Sequence, residues 1–234
     1  MKILVIGGMH GNEMLGINLV QKLQKNPIKN VDALIANPRA VRQRVRFCDS
    51  DLNRSFGNKG AEWEAERANE LVKVGKKYDL VLDFHNTTCP NNDCGFVGDG
   101  AKDIAYSAAA LLGLNKVIVA DYDCINKALP NCLSVEISTS SGRNSANEWY
   151  ELMAMLVKQE TIDSIAQLDR YRFVHRITLE DRDKFGLEKE NLRAFEPLPE
   201  KLAQKLGISR TVYPIFIGDK FTPYNYGGLV ERIR

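Results

Sequence analysis

The sequence predicts a layered α/β fold, and three observations support this prediction. Before residue 169, short apolar segments typical of buried strands alternate with amphipathic segments of helical periodicity. Two of the three histidines end apolar segments, as expected where parallel strands reach a common edge of a sheet. From Asp169 onward the chain consists of short alternating segments interrupted by glycine and proline. We therefore predict an α/β domain over residues 1–168 and a small β-rich unit over residues 169–234.

The first elements follow from the hydrophobic period and from turn residues. Residues 2–6 form a short apolar run, which favours a buried strand. Apolar residues then recur at near-helical spacing over residues 12–23, and Pro27 ends this helix because proline supplies no amide hydrogen. An apolar run at residues 31–36 indicates a second strand. The arginine-rich stretch at residues 39–56 shows neither period and is predicted to be a loop.

The remaining elements of the α/β domain continue the alternation. Residues 62–76 form a clear amphipathic helix. The later elements are a strand at residues 78–85, a short strand at 94–97, an alanine-rich helix at 104–112, strands at 116–120 and 132–137, and a long helix at 147–168. Helices and strands that alternate in this way usually form layers, with helices packed on the sheet.

Composition and charge narrow the class of protein. The chain has 234 residues, of which 44% are hydrophobic, and a formal net charge of +2. The basic residues are dispersed, so nothing indicates a nucleic-acid partner. No apolar run approaches the roughly 20 residues that cross a membrane, and we expect a cytoplasmic protein. The five cysteines lack a Cys-x-x-Cys grouping, and we expect them to be reduced.

A histidine and a carboxylate lie together where the first strand meets the first helix. His10 and Glu13 stand three residues apart in a glycine-rich turn, a pattern that alone is more often a simple polar turn. His85, however, ends another apolar strand, so the three residues can meet at one sheet edge. Zinc takes such nitrogen and oxygen ligands. We predict one zinc ion per chain on His10, Glu13 and His85, whereas His175, in an alternating segment, is predicted to be structural.

Five motifs occur in an order that resembles a known enzyme family. They are His10-Gly-Asn-Glu13, Asn37-Pro-Arg-Ala-Val41, Asp51-Leu-Asn-Arg-Ser-Phe56, Asp83-Phe-His-Asn-Thr-Thr88 and Val135-Glu-Ile-Ser138. Together they resemble the aspartoacylase and succinylglutamate desuccinylase family, within the zinc carboxypeptidase superfamily. The resemblance covers the chain before Gly142. It implies a zinc-carboxypeptidase-like mixed sheet flanked by helices, with a small C-terminal β-rich unit.

The resemblance also implies roles for the arginine-rich loop. Asn53 and Arg54 would bind a substrate carboxylate, and Arg46 would polarise the scissile carbonyl and stabilise the oxyanion. Asp51 would support a metal ligand from outside or fix the loop. A solvated charged surface is the alternative interpretation of this segment, although arginine is well suited to bidentate binding of carboxylates.

Glu136 interrupts an apolar strand. A carboxylate near the end of a buried strand costs free energy unless it is paired or used. It is either an exposed residue of a half-buried strand or the general base and acid of a hydrolase. Its place after the strand of His85, together with the family resemblance, favours the second interpretation. In the predicted reaction Glu136 takes a proton from a zinc-activated water and delivers it to the leaving amine.

The resemblance suggests an N-acyl-aspartate as substrate, with N-acylglutamate the nearest alternative. Some aspartoacylases carry an arginine for the second substrate carboxylate before the catalytic glutamate, whereas residues 125–129 offer only Lys127. The β-rich unit is expected to narrow the entrance. Tyr224 is the predicted pocket tyrosine, with Tyr226 next, and packing within the unit is the alternative for both.

Three functions stay open. The first is an amidohydrolase acting on a small N-acyl amino acid, without a nucleic-acid or membrane partner and compatible with a homo-oligomer. A carboxypeptidase would use the same ligands and Asn53-Arg54, but the short chain and the aromatic C-terminal segment weigh against it. A non-catalytic sensor of a metal or an acidic metabolite is the third, and the presence of Glu136 beside a complete ligand set disfavours it.

Overall fold

A mixed β-sheet organises the fold, which the computed structural model describes over residues 1–57, 60, 62–159, 168–188, 192–222 and 225–233. Within these ranges the sheet has nine strands: β1 (Ile3–Gly7), β2 (Val31–Ile35), β3 (Leu80–Thr87), β4 (Cys94–Gly98), β5 (Lys116–Ala120), β6 (Cys132–Ser138), β7 (Asp169–Thr178), β8 (Tyr213–Ile215) and β9 (Asn225–Ile233). Their order across the sheet is β2-β1-β3-β6-β4-β5-β7-β9-β8.

Helices cover the sheet on both faces. In the same ranges they are α1 (Met14–Lys25), α2 (Pro38–Gln43), α3 (Trp63–Gly75), α4 (Asp103–Leu111), α5 (Ile125–Ala128), α6 (Ala146–Leu156), α7 (Leu179–Phe185) and α8 (Glu200–Lys205), together with a 3₁₀ turn at Leu52–Arg54. The predicted α/β class, a mixed sheet flanked by helices, is confirmed. Among the described helices, none is long and apolar enough to cross a membrane.

The core forms because successive strand residues point to opposite faces. Ile3 and Val5 of β1 pack in the cluster that contains Trp149 of α6. Leu4 and Ile6 of the same strand pack in the cluster on the other face, which includes residues of α3 and α5. The apolar run at the start of the sequence is therefore buried on both faces, as a central parallel strand should be.

Strand direction determines where the site lies. β1 pairs in parallel with β2 and β3, and β3 pairs in parallel with β6. The carboxyl ends of these four strands consequently lie at one edge of the sheet. β4 pairs antiparallel with β6 and makes the sheet mixed.

Two regions of the predicted α/β domain differ from the sequence predictions. Residues 38–43 form a helix within the predicted loop, because Pro38 is tolerated in a first helical turn and the Asn37 side chain accepts a hydrogen bond from the Ala40 N–H at 3.0 Å. The predicted helix at 147–168 ends at Leu156, and residues 160–167 of that prediction lie outside the described residues.

The C-terminal segment is joined to the central sheet. β7 pairs in parallel with β5, while β8 and β9 continue the sheet beyond it. The segment also contains α7, α8 and its own apolar cluster around Ile177 and Leu229. A boundary at residue 168 therefore stays a prediction.

The closest approach between β1 and α1 provides a stability test. A Cβ added to Gly7 would lie 2.2 Å from the Gly16 carbonyl oxygen, and backbone cannot move aside as a flexible side chain can. We expect Gly7→Ala to lower the free energy of unfolding by about 1–3 kcal/mol or more. Gly142→Ala is the control, since its Cβ would meet nothing within 4 Å. Denaturant unfolding measures both, and equal midpoints would contradict the predicted clash.

Candidate active site

The three predicted metal ligands meet at the carboxyl edge of the sheet. His10 lies in the turn after β1, Glu13 immediately precedes α1, and His85 lies near the end of β3. All three are buried, and one ligand atom from each lies within 4.8 Å of the others. Two imidazole nitrogens and a carboxylate oxygen form a donor set that zinc prefers. The residues present thus fit a zinc ion.

Carboxylates orient both imidazoles. The Nδ1 atoms of His10 and His85 lie 2.7 and 2.9 Å from the two Glu13 carboxylate oxygens. Their Nε2 atoms lie 3.1 Å from Asp51 Oδ1 and 2.7 Å from Asp83 Oδ2, respectively. A carboxylate beside Nε2 favours the proton on that nitrogen and leaves the Nδ1 lone pair for a cation.

Asp83 is a site residue that the sequence analysis did not assign. It is fully buried, and Ser134 Oγ also donates a hydrogen bond to its Oδ2 at 3.3 Å. Its position two residues before His85 in a strand was the available signal, because i and i+2 share a face.

The electrostatics of the cluster favour ionised carboxylates. Burial alone would raise the pKa of Glu13, but His10 and His85 lower it well below its ordinary value. Burial likewise opposes the ionisation of Asp51, whereas the hydrogen bond from His10 lowers the Asp51 pKa below its usual range. For His85, burial opposes the charged form, while Asp83 and Glu13 together raise its pKa well above the ordinary value. The lowered pKa values keep Glu13 and Asp51 negatively charged, which favours the binding of a cation.

Arg46 lies beside the ligand cluster. Its Nη1 donates to Glu13 Oε1 at 3.1 Å, and its Nη2 lies 3.4 Å from Asp51 Oδ2. Its backbone oxygen accepts a hydrogen bond from the Gly11 N–H at 3.2 Å, which ties its loop to the turn of His10. The buried Nε atom has no hydrogen-bond partner in the part of the chain that the structure describes. The guanidinium as a whole lines the cavity described below.

Glu136 lies directly across from His85, since the two residues are register partners in β3 and β6. Burial raises the pKa of Glu136 well above its ordinary value, the charge of Glu13 adds to this effect, and His85 opposes it. A carboxyl group with a raised pKa next to a metal site can both accept and deliver a proton near neutral pH.

A cavity of about 150 Å³ joins these groups to the C-terminal strands. The metal ligands, Arg46 and Glu136 lie at its polar end. The lining also includes a group of aromatic and apolar residues: Phe96, Tyr122, Phe173, Ile215 and Phe216. The site can therefore bind a molecule that has both a polar reacting group and an apolar or extended part.

Asn53 and Arg54 also line this cavity. Both residues belong to the 3₁₀ turn. The Asp51 side chain caps this turn, because its Oδ1 accepts a hydrogen bond from the Asn53 N–H at 2.9 Å. The Arg54 guanidinium lies 4.6 Å from the centre of the Tyr122 ring. This stacking restrains a side chain that is otherwise exposed.

Two predicted residues are placed away from the cavity, and a third is not described by the structure. Lys127 is exposed on α5, its Nζ lies 3.0 Å from Asp123 Oδ1, and it is not among the described residues that line the cavity. Tyr226 is buried in the apolar cluster of the C-terminal segment, which matches the packing alternative. Tyr224 lies outside the described residues.

Two further cavity residues were not predicted. Tyr122 follows β5, and Arg176 lies in β7. The region around Arg176 contains several arginines in an alternating pattern, which gave no reason to select one of them. His175, predicted to be structural, does not belong to the described lining of the cavity.

Known proteins resemble part of this chain in sequence. A family model described as the succinylglutamate desuccinylase/aspartoacylase catalytic domain matches residues 1–124. An N-acyl-aromatic-L-amino acid amidohydrolase (carboxylate-forming) of Xenopus tropicalis is 39% identical over 105 residues, which cover 37% of this chain and 34% of the relative. Aspartoacylase of Mus musculus is 35% identical over 122 residues, covering 44% and 39%. The match thus spans little more than a third of these curated relatives.

Solved structures share the fold over the whole chain. Murine aminoacylase 3 has a TM-score of 0.72 at 21% identity, covering 100% of this chain and 95% of that one. Succinylglutamate desuccinylase from Chromobacterium violaceum has a TM-score of 0.74 at 18% identity, covering 100% and 85%. The family model matches more than half of the 234 residues. The chain therefore belongs to the succinylglutamate desuccinylase/aspartoacylase family of hydrolases.

Proposed function

We propose that the protein is a zinc-dependent amidohydrolase that converts a small N-acyl amino acid into a carboxylate and the free amino acid. The observation that carries this proposal is the meeting of a complete ligand set, Glu136 and Arg46 at the polar end of one cavity. Each of these groups has a separate task in amide hydrolysis. We also propose that it acts in the cytoplasm.

The ligand residues would hold one zinc ion per chain. When bound by His10, Glu13 and His85, zinc supplies a Lewis acid and lowers the pKa of a water molecule from about 16 toward about 7. Asp51 and Asp83 keep the two imidazoles in the orientation that binding requires.

Asn53 and Arg54 are proposed to bind the carboxylate of the amino acid. A guanidinium offers two parallel N–H donors to a carboxylate, and an amide N–H₂ can supply a third. Because Asp51 fixes the 3₁₀ turn and also faces His10, the carboxylate site and the ligand cluster are held at a constant separation. The scissile amide is thereby placed at the ligands.

Glu136 is proposed to move the proton. It accepts a proton from the attacking water and transfers it to the nitrogen of the leaving amine as the C–N bond breaks. Its raised pKa suits both steps. The Arg46 guanidinium, which lines the cavity beside the ligands, is a donor for the oxyanion of the tetrahedral intermediate.

The amino acid that leaves is proposed to be acidic, with N-acyl-aspartate preferred and N-acylglutamate next. Relatives named aspartoacylase support this choice. A second candidate, an N-acyl aromatic amino acid, is favoured by the wall of Phe96, Tyr122 and Phe173 and by relatives named for that activity. A carboxypeptidase is less favoured, because residues of β8 and β9 close one side of a cavity of about 150 Å³.

A substrate panel tests the proposal. Amine release is measured with N-acetyl-aspartate, N-succinyl-glutamate, N-acetyl-phenylalanine and an unacylated dipeptide. We expect cleavage of acylated amino acids and no cleavage of the dipeptide. Cleavage of the dipeptide alone would establish the carboxypeptidase alternative, and zinc binding without any turnover would leave the sensor.

The carboxylate site gives a separate prediction. Arg54→Lys keeps the charge but removes the planar pair of donors, so we expect KM to rise about 10-fold with a smaller change in kcat. Arg42→Lys on the exposed side of α2 is the matched control and should change neither constant. Steady-state kinetics with the best substrate of the panel measure both variants. An unchanged KM in Arg54→Lys would contradict the assigned role.

A further inference from the structure

A strand far from the metal ligands brings an additional positive charge to the cavity. Arg176 lies in β7, and its register partner is Gly228 of β9. Both residues line the cavity, together with Phe173 of the same strand as Arg176. Because residue 228 has no side chain, nothing from its position covers the guanidinium.

A bulge determines which way Arg176 points. The register between β7 and β9 shifts between Phe173 and His175, so Val174 is an extra residue in β7. In a regular strand, Phe173 and Arg176 would lie on opposite faces. The inserted residue reverses the alternation and places both on the cavity side.

Arg176 differs from the other two arginines of the cavity. Arg46 is paired with Glu13 and Asp51, and Arg54 donates to the Asn53 backbone oxygen at 3.0 Å. The guanidinium of Arg176 has neither a hydrogen bond nor an ion pair with any residue of the described ranges.

The carboxylate of Asp219 also lines the cavity, and it accepts hydrogen bonds from Thr88 and Thr222. Its Oδ1 accepts hydrogen bonds from the N–H and the hydroxyl of Thr88, both at 2.8 Å. Its Oδ2 accepts one from the Thr222 hydroxyl at 3.2 Å. The positive charge of Arg176 therefore faces a cavity whose nearby acid is already engaged.

An aromatic wall connects the proposed carboxylate site to Arg176. Arg54 stacks on Tyr122, and the ring centroids of Tyr122 and Phe173 are 5.8 Å apart. Burial raises the pKa of Tyr122 to about 12, and the charges of Arg54 and Arg176 both oppose that rise. Tyr122 thus lies within electrostatic reach of both arginines.

We propose that Arg176 binds a second carboxylate of the substrate and so makes the enzyme selective for dicarboxylic N-acyl amino acids. This proposal rests on the proposed function and assigns to Arg176 the task that was predicted for Lys127. The second carboxylate can belong to the side chain of the amino acid or to the end of the acyl group. Both sources present the same chemistry to a guanidinium.

Paired substrates that differ in one charge test the proposal. For the wild type, Arg176→Gln and Arg176→Lys, kcat/KM is measured with N-acetyl-aspartate and N-acetyl-asparagine, and with N-succinyl-leucine and N-acetyl-leucine. The second member of each pair keeps the α-carboxylate but has an uncharged group in place of the second carboxylate, and it is called the neutral counterpart for that reason. Arg172→Gln is the matched control, because Arg172 lies in the same strand, near Asp99, and is not among the described lining residues.

We expect Arg176→Gln to lower kcat/KM for a dicarboxylic substrate about 10- to 100-fold, mainly through KM, with less than about a 2-fold change for its neutral counterpart. Arg176→Lys should restore part of the loss, and Arg172→Gln should change nothing. Loss in the aspartate pair places the second carboxylate on the amino acid, and loss in the succinyl pair places it on the acyl group.

Equal effects on charged and neutral substrates, or no effect on any, would overturn the role of Arg176 while leaving the proposed function intact. If the wild type cleaves none of the four, the proposed function fails separately. In that case, the same compounds are titrated calorimetrically into the wild type and Arg176→Gln. We expect Arg176→Gln to bind the dicarboxylic compound of each pair more weakly and its neutral counterpart equally well. Undetectable binding, or equal binding to both proteins, would overturn the role of Arg176.

Discussion

Replacing Glu136 with glutamine should abolish turnover and leave zinc binding intact. Glutamine has nearly the same shape but can neither accept a proton from water nor deliver one to the leaving amine. General acid and base catalysis by a positioned side chain typically contributes about 10²- to 10⁴-fold, and Glu136 is proposed to act in both steps. We therefore expect kcat to fall by at least about 10³-fold with little change in KM.

Zinc content, thermal unfolding and kinetics are measured on the same preparations of the wild type and of Glu136→Gln. Glu151→Gln is the matched control, because Glu151 is exposed on α6. It should retain full activity. A near-normal rate in Glu136→Gln would remove the catalytic assignment, and a joint loss of zinc and activity would instead make Glu136 a metal ligand.

Removing one imidazole should have the other large effect. His85→Ala leaves two of the three ligands and a buried Glu13 without its second partner. We expect stoichiometric zinc binding to be lost, with activity falling below detection. A graded series is also expected, because Asp83 is hydrogen-bonded to Nε2 of His85 and would act on a bound zinc ion through that imidazole.

Asp83→Asn should therefore weaken zinc affinity about 10- to 100-fold, less than loss of His85 itself. His175→Ala is the control histidine and should bind zinc as the wild type does. Competition with a calibrated chelator measures all three variants. Full zinc affinity and full activity in His85→Ala would exclude this histidine as a ligand.

The meeting of His10, Glu13 and His85 was predictable because their positions depend on strand ends. The apolar runs before His10 and His85 indicate buried strands, and parallel pairing then brings both carboxyl ends to one edge. Glu136 was conspicuous because it interrupts the apolar run of β6. Its proposed role came from the family resemblance as well as from its position.

The specificity residues could not be predicted in the same way. Lys127 lies on the four-residue helix α5, and hydrophobic periodicity does not determine how so short an element is oriented. Arg176 reaches the cavity through a bulge at Val174, and an inserted residue of this kind reverses which face every later side chain occupies. The alternating pattern of Arg170, Arg172 and Arg176 gives no indication of that reversal.

Zinc content and zinc-dependent amine release, measured on one purified sample, test the central claim most directly. Elemental analysis is followed by assays of acylated amino acids as purified, after chelation, and after zinc is restored. We expect about one zinc per chain, loss of amine release on chelation and its recovery with zinc. Protein that binds no zinc, or cleaves the substrate equally well after complete removal of the metal, would contradict it.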